Sequence, residues 1–183
     1  MKSHRHALRR VPCTKPTGLP LGATASPRRF KAILVDVGLW QHLCGMKTTT
    51  EYAKGNLLNI YRGAMAEQFV GQELAAAQEG DLYYWAREER GSSAKLDYLA
   101  VVDGEIHGVE VKSGAAGKLR SLHRMHQEYS QVGHGFVLSA APYAELPEQM
   151  LRFIPLYFAF SATRVNARQR STLNTDEMPN APA

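Results

Sequence analysis

The chain has 183 residues, 44% hydrophobic and 21% charged, which fits one compact domain with tails and excludes a collagenous, low-complexity or wholly disordered chain. No apolar run reaches the ~18 residues of a membrane-spanning helix, and Cys13 and Cys44 cannot build a disulfide framework or a four-thiolate zinc site, so a cytoplasmic setting without membrane contact is expected. The net charge of +5 is uneven: residues 1–31 hold eight of the 22 basic residues and no acid, leaving 14 basic against 17 acidic residues in a mildly acidic body.

The basic start reads as irregular through residue 27, because Pro12, Pro16, Pro20 and Pro27 with Gly18 and Gly22 interrupt any periodicity. It is expected to be a flexible arm able to touch phosphates. No amphipathic helix follows it, which argues against an organelle transit peptide. Phe30 to Val35 suits a strand, and Asp36 can cap a short helix that Gly45 ends. A longer helix is predicted from about Asn59 to Ala77, with Tyr61, Met65, Phe69, Val70 and Leu74 as its apolar stripe.

Leu82 to Trp85 and Lys95 to Val102 read as strands, and Asp103-Gly104 is a strong two-residue hairpin signal that returns the chain through Glu105 to Lys112. A helix over Lys118 to Ser130 follows, then strands at Gly135 to Ala140 and Phe153 to Phe160. Residues from Ser161 onward read as a polar, disordered tail. The expected architecture is an α/β domain with a central mixed sheet flanked by helices, spanning residues 28–160 between an arm (1–27) and a tail (161–183).

A tight turn at Asp103-Gly104 fixes the antiparallel register so that Val102 faces Glu105, Leu99 faces Gly108 and Asp97 faces Glu110. Both faces of such a hairpin are apolar, Leu99, Val101 and Ile106 on the face of the two acids and Leu96, Tyr98, Ala100, Val102, Val109 and Val111 on the other, so both are expected to be covered. Two carboxylates opposed near an element that excludes water require a cation. Oxygen-only ligation suits Mg²⁺ or Mn²⁺, which keep waters and accept phosphate oxygens. Alternation brings Lys112 onto the face of Glu110, where an ammonium can stabilise an attacking water or charge developing on phosphorus. Glu67 projects from a helix face of small residues, Gly63, Ala64 and Gly71, that can approach the sheet closely. The plainer alternative is a pair of exposed edge acids, with Lys112 merely neutralising Glu110.

At these residues the chain resembles a known pattern. Asp97, a hairpin, and Glu110-Val111-Lys112 are similar to the D-x(n)-E-x-K core of the PD-(D/E)XK nuclease superfamily, whose fold resembles type II restriction enzymes. More widely, GATASPRRFKAILVDVGLWQHLCG (22–45), GAMAEQFVGQEL (63–74), LYYW (82–85), VEVKSG (109–114), Leu119 to Leu122 and IPLYFA (154–159) resemble the C-terminal domain of a large prokaryotic AAA-type ATPase family, the domain of unknown function numbered 4143. The resemblance implies a restriction-endonuclease-like fold with Glu67, Asp97, Glu110 and Lys112 at active-site positions. It also implies the Val111 carbonyl as a further ligand beside Asp97 and Glu110, and hydrolysis of a DNA phosphodiester.

Two departures from the family pattern stand out. Ala94-Lys95-Leu96-Asp97 replaces Ala-Glu-Val-Asp, and the register then sets Lys95 against Lys112, a like-charge pair. The ATPase phosphate loop of the relatives is missing from this stretch. Gly114-Ala115-Ala116-Gly117-Lys118 is too short for one and carries Leu119 where Mg²⁺ needs Ser or Thr; it reads as a helix-start turn. His123 and His126, three apart on a helix, read as polar surface residues rather than metal ligands. Tyr83, Tyr84 and Trp85 read as core rather than a base-stacking platform, and His4 and His6 fall in the arm. The expected function is a Mg²⁺- or Mn²⁺-dependent nuclease-like domain acting on DNA. The alternative is a non-catalytic nucleic-acid- or protein-binding module, partnered by an ATPase domain or left as a truncated ATPase-family product.

Overall fold

The computed structural model describes residues 7–45, 59–78, 80–89, 92–113 and 117–163. His4, His6, the expected turn at 114–116, the Tyr61 side chain and the tail from residue 164 lie outside what is described. The elements in chain order are strand β1 (Leu8–Pro12), strand β2 (Phe30–Leu34), helix α1 (Val37–Leu43) and helix α2 (Asn59–Ala77). Strands β3 (Tyr83–Glu89), β4 (Ser92–Val102) and β5 (Glu105–Val111), helix α3 (Arg120–Glu128), and strands β6 (Gly135–Ser139), β7 (Ala144–Leu146) and β8 (Leu151–Pro155) follow, with short 3₁₀ turns between some of them.

The main sheet is mixed and six-stranded, in the order β3-β4-β5-β6-β8-β7. The β3, β4 and β5 strands form an antiparallel meander, β5 and β8 flank β6 in parallel, and β7 closes the far edge antiparallel to β8. Helices cover both faces. Val70 and Leu74 of α2 pack with Tyr98, Ala100, Val109, Phe136 and Leu138; Leu122 and Met125 of α3 pack with Leu96, Leu99, Ile106 and Val137. A strand buried on both sides has no polar alternation to show, which is why β6 is an unbroken buried run. Each large side chain so enclosed contributes about 1.5–3 kcal/mol.

The hairpin forms as its turn chemistry demands. Asp103 and Gly104 have φ values of 51° and 81°, the left-handed pair of a two-residue hairpin turn, and Val102 pairs with Glu105 and Leu99 with Gly108. Asp36 caps α1 by accepting the Leu39 amide proton at 2.6 Å.

Four expectations are corrected. The lead-in is not irregular throughout: β1 pairs antiparallel with β2 over Leu8–Pro12, with Val11 fully buried. A strand of five residues burying one side chain has too little period to be read locally. Two of its arginines are bound into the structure: Arg9 donates to the Ala75 carbonyl at 3.0 Å, and Arg10 donates to the Pro27 carbonyl and stacks on Phe30. The last strand ends at Pro155 and continues as a 3₁₀ helix over Leu156–Ser161, because proline has no amide to extend a ladder. Strand β7 was not expected; at three exposed residues it carries no pattern.

The fourth correction concerns the face of β4. Tyr83 pairs with Leu99 but Trp85 pairs with Leu96, so β4 carries one extra residue at Asp97–Tyr98, a β-bulge. A single inserted residue reverses the parity of everything beyond it. Leu96 therefore lies on the α3 face with Leu99, not opposite to it, and Asp97 is brought to the α2 side with Tyr98.

Candidate functional site

The ladder between β4 and β5 ends at Tyr98 and Val109, one step short of the expected Asp97–Glu110 pair. From there β5 continues with β6, Glu110 against Val137 and Val111 against Leu138. At this fork the Asp97 side chain stands in for the missing strand partner: its Oδ2 accepts the Val111 amide proton at 2.8 Å. The two acids are thus not a cross-strand pair: Asp97 stands on the α2 side with Tyr98, whereas Glu110, two residues after Gly108 and paired with Val137, falls on the α3 side.

Glu67 reaches the fork from α2. Its Oε1 accepts a hydrogen bond from Lys31 Nζ at 2.5 Å, and Lys95 Nζ lies 3.8 Å from the same oxygen and 4.0 Å from Asp97 Oδ1. Lys112 Nζ donates to Glu110 Oε1 at 2.6 Å. The expected Lys95–Lys112 repulsion does not arise. Lys95 pairs across from Ala86 of β3 and, on the α2 side of the bulge, turns to the acids there.

Lys31 is the member of this cluster that sequence reasoning missed. It sits on β2 opposite Val11, with its ammonium 3.7 Å from the centre of the Tyr98 ring, a cation–π distance. Tyr98 in turn donates its hydroxyl proton to the Glu67 carbonyl at 2.7 Å. Gln68 holds β2 against α2 by accepting from the Leu34 amide at 3.0 Å and donating to the Leu34 carbonyl at 2.6 Å. The small-residue face expected around Glu67 is only partly used. Gly63 and Ala64 are exposed, whereas a Cβ on Gly71 would stand 2.7 Å from Tyr98 Cζ.

The electrostatics follow from burial. The Asp97 side chain is 16% exposed. Desolvation, then the Glu67 carboxylate and more weakly Glu110, push its pKa up to about 6 against the pull of the Val111 amide and Lys31. Burial alone would raise Glu67 too, but the Lys31 ion pair and hydrogen bond, with Lys95 and a hydrogen bond to Asp97, outweigh it and hold Glu67 below the usual carboxylate range. Desolvation lowers Lys31 in spite of Glu67 and Asp97. Glu67 and Asp97 therefore share Lys31 and Lys95, while Glu110 pairs separately with Lys112.

The balance leaves one oxygen out. Glu110 Oε2 is buried with no hydrogen-bond partner, a costly condition for an ionised oxygen. Among the described residues, no group of three or more His, Cys, Asp or Glu side chains is arranged to hold a metal ion. Asp97 on the α2 side and Glu110 on the α3 side each carry hard oxygen donors of the kind a mostly hydrated Mg²⁺ or Mn²⁺ accepts, with the end of the β4–β5 ladder between them. The remaining sequence candidates are structural. Tyr84 and Trp85 are buried core residues, and His126 Nε2 lies 3.0 Å from the Gly133 carbonyl. A cavity of about 460 Å³ lined by Leu21, Gln78, Asp81, Tyr83 and Val101 contains none of the clustered residues.

Among the described residues, no helix is long and apolar enough to cross a membrane. No curated protein and no solved structure matches the chain. Residues 62–158, from the first turn of α2 to the 3₁₀ helix after β8, match the family described as Domain of unknown function (DUF4143). That segment contains Glu67, Asp97, Glu110 and Lys112, leaves Lys31 outside it, and spans more than half of the sequence, so the chain belongs to the DUF4143 family.

Proposed function

We propose that the chain is a Mg²⁺- or Mn²⁺-dependent nuclease-like domain of the PD-(D/E)XK kind, with a restriction-endonuclease-like fold, that hydrolyses DNA phosphodiester bonds. The observation that carries this reading is the incomplete neutralisation at the fork. Glu110 Oε2 is buried without a partner, and across the strand end Asp97 has its carboxyl raised to about 6 by burial and by Glu67. A buried acceptor oxygen without a donor is a place where a cation is favoured.

In this reading Asp97 and Glu110 would hold the ion, with the Val111 carbonyl as a third ligand. The bound ion supplies Lewis-acid charge at the phosphate and a readily ionised water. The chain supplies the rest. The Val111 amide fixes Asp97 in orientation. Lys112, anchored to Glu110, presents a positive charge where negative charge grows on the phosphoryl oxygens. Lys95, half exposed at the rim, is placed to meet the approaching phosphate backbone. Purified protein with supercoiled plasmid and Mn²⁺ is expected to produce nicked circles, and Glu110→Ala to abolish them. Equal inertness of the two proteins contradicts catalysis.

A second reading is supported by the three lysines. With Lys31, Lys95 and Lys112 already paired to the three acids, the same fold can serve as a non-catalytic module that binds nucleic acid or a partner protein such as an ATPase domain. DNA binding unchanged by Mn²⁺, by chelator and by Glu110→Ala is the outcome that selects it.

A further inference from the structure

We infer that the outer surface of α3, continued by Lys112 at the end of β5, is a track for the phosphate backbone of duplex DNA. The inference rests on the reading of the chain as a domain that acts on DNA, and it adds where the duplex lies. It is independent of any metal ion.

The surface is built on one side of the sheet. Leu122 and Met125 of α3 are fully buried against Leu96, Ile106 and Val137. At 3.6 residues per turn, Arg120, Arg124 and Gln127 therefore form the stripe turned away from the sheet. Strand alternation from Gly108, where a Cβ would meet Met125, sets Glu110 and Lys112 on this same side.

The charges here are sorted by depth. The Lys112 side chain is 30% exposed against 12% for its partner Glu110, and Arg124 is 41% exposed against 24% for Glu128. In both pairs the cation stands nearer to solvent, so positive charge faces outward. Lys118 and Arg120 are exposed, and among the described residues neither takes part in an ion pair or a side-chain hydrogen bond. From Lys118 to Gln127 the chain carries three Lys or Arg and no acid. Helix stability does not account for Arg120: it sits in the first turn of α3, which has no acidic residue and no side-chain cap, where the helix dipole disfavours a cation.

The occupant follows from what the stripe lacks. A protein interface is centred on apolar side chains within a polar rim, whereas Arg120, His123, Arg124 and Gln127 offer no apolar group. Phosphate contacts need only cations and hydrogen-bond donors, and they position a duplex without reading its sequence.

The test is fluorescence anisotropy of a labelled DNA duplex of about 20 base pairs in EDTA, with salt varied from about 50 to 200 mM. Four phosphate contacts, from Lys112, Lys118, Arg120 and Arg124, predict that log K falls against log salt with a slope of about −3.6. The double variant Lys118→Gln/Arg120→Gln is expected to bind roughly tenfold or more weakly at low salt, with a slope shallower by about 1.8. Gln127→Ala, which removes a neutral side chain from the same stripe, is expected to match wild type.

Wild-type affinity and slope in the double variant overturn this inference and leave the DNA reading standing, as does an equal loss in Gln127→Ala. Absence of saturable binding by wild type overturns both. Poly-glutamate or an RNA duplex that displaces the label better than unlabelled DNA does overturns the assignment to DNA.

Discussion

Asp97 is a carboxyl whose ionisation opposes folding, and the sign of its pH dependence follows directly. Its folded pKa is about 6 against an ordinary 3.8, so the cost of holding it ionised is present in full above about pH 6 and is relieved as pH falls toward the unfolded value. Glu67 works the other way and lower down: held below its ordinary 4.5, it contributes stability above that value and loses it on further acidification. His107 and His126, both lowered chiefly by burial, destabilise the fold as pH falls through the ordinary histidine range, within the window of Asp97. Comparison with Asp97→Asn, which keeps an acceptor for the Val111 amide, removes that overlap. In metal-free protein, wild type should gain about 1 kcal/mol relative to Asp97→Asn between about pH 7.5 and pH 5. Urea denaturation of both proteins measures it, and an unchanged difference contradicts the electrostatic account.

At this scale Asp97, Glu110, Lys112 and Glu67 stand out in the sequence as charges that need partners, because acids in an apolar hairpin and on a helix that meets it require an explanation. Lys31 was not. Its role is created by contact with Glu67, 36 residues away, and nothing in Arg28-Arg29-Phe30-Lys31 distinguishes it from the other cations of the basic start.

Among the elements, α2 shows how a helix is fitted to the sheet. Gly63 and Gly71 occupy the same helix, but a Cβ at Gly63 meets nothing within 4 Å, whereas one at Gly71 meets the Tyr98 hydroxyl and ring. Gly63→Ala should therefore raise stability by about 0.5–1 kcal/mol through helix propensity. Gly71→Ala should lower it by about 1–3 kcal/mol, since the buried ring cannot yield. Equal and small effects in thermal or urea unfolding contradict the close approach of α2 to Tyr98. The hairpin turn and the extent of α2 could be read from residues because Asp103-Gly104 and the spacing of Met65, Phe69 and Leu74 are local signals. The bulge could not. It is defined by the pairing of β4 with β3, a partner that no local pattern names, and it carried Asp97 to the opposite side of the sheet from the one the simple alternation predicts.

For the molecule as a whole, the central mixed sheet brings together three contributions that are distant along the chain. The β1–β2 ribbon carries Lys31, α2 carries Glu67, and the forked strands β4 and β5 carry Asp97, Glu110 and the remaining lysines. The basic character of the chain's start is partly structural, since Arg9, Arg10 and Lys31 are bound within the fold. The DUF4143 segment supplies the fork, and the residues before it supply the internal cation that balances Glu67.

The account depends on Asp97 and Glu110 jointly accepting a divalent ion, and a Mn²⁺ electron paramagnetic resonance titration of wild type beside Asp97→Asn and Glu110→Gln tests this most directly. The prediction is saturable loss of the free-ion signal in wild type and at least tenfold weaker uptake in each variant, on the order of 1.4 kcal/mol or more. Weak, non-saturating uptake that is the same in all three proteins would contradict it.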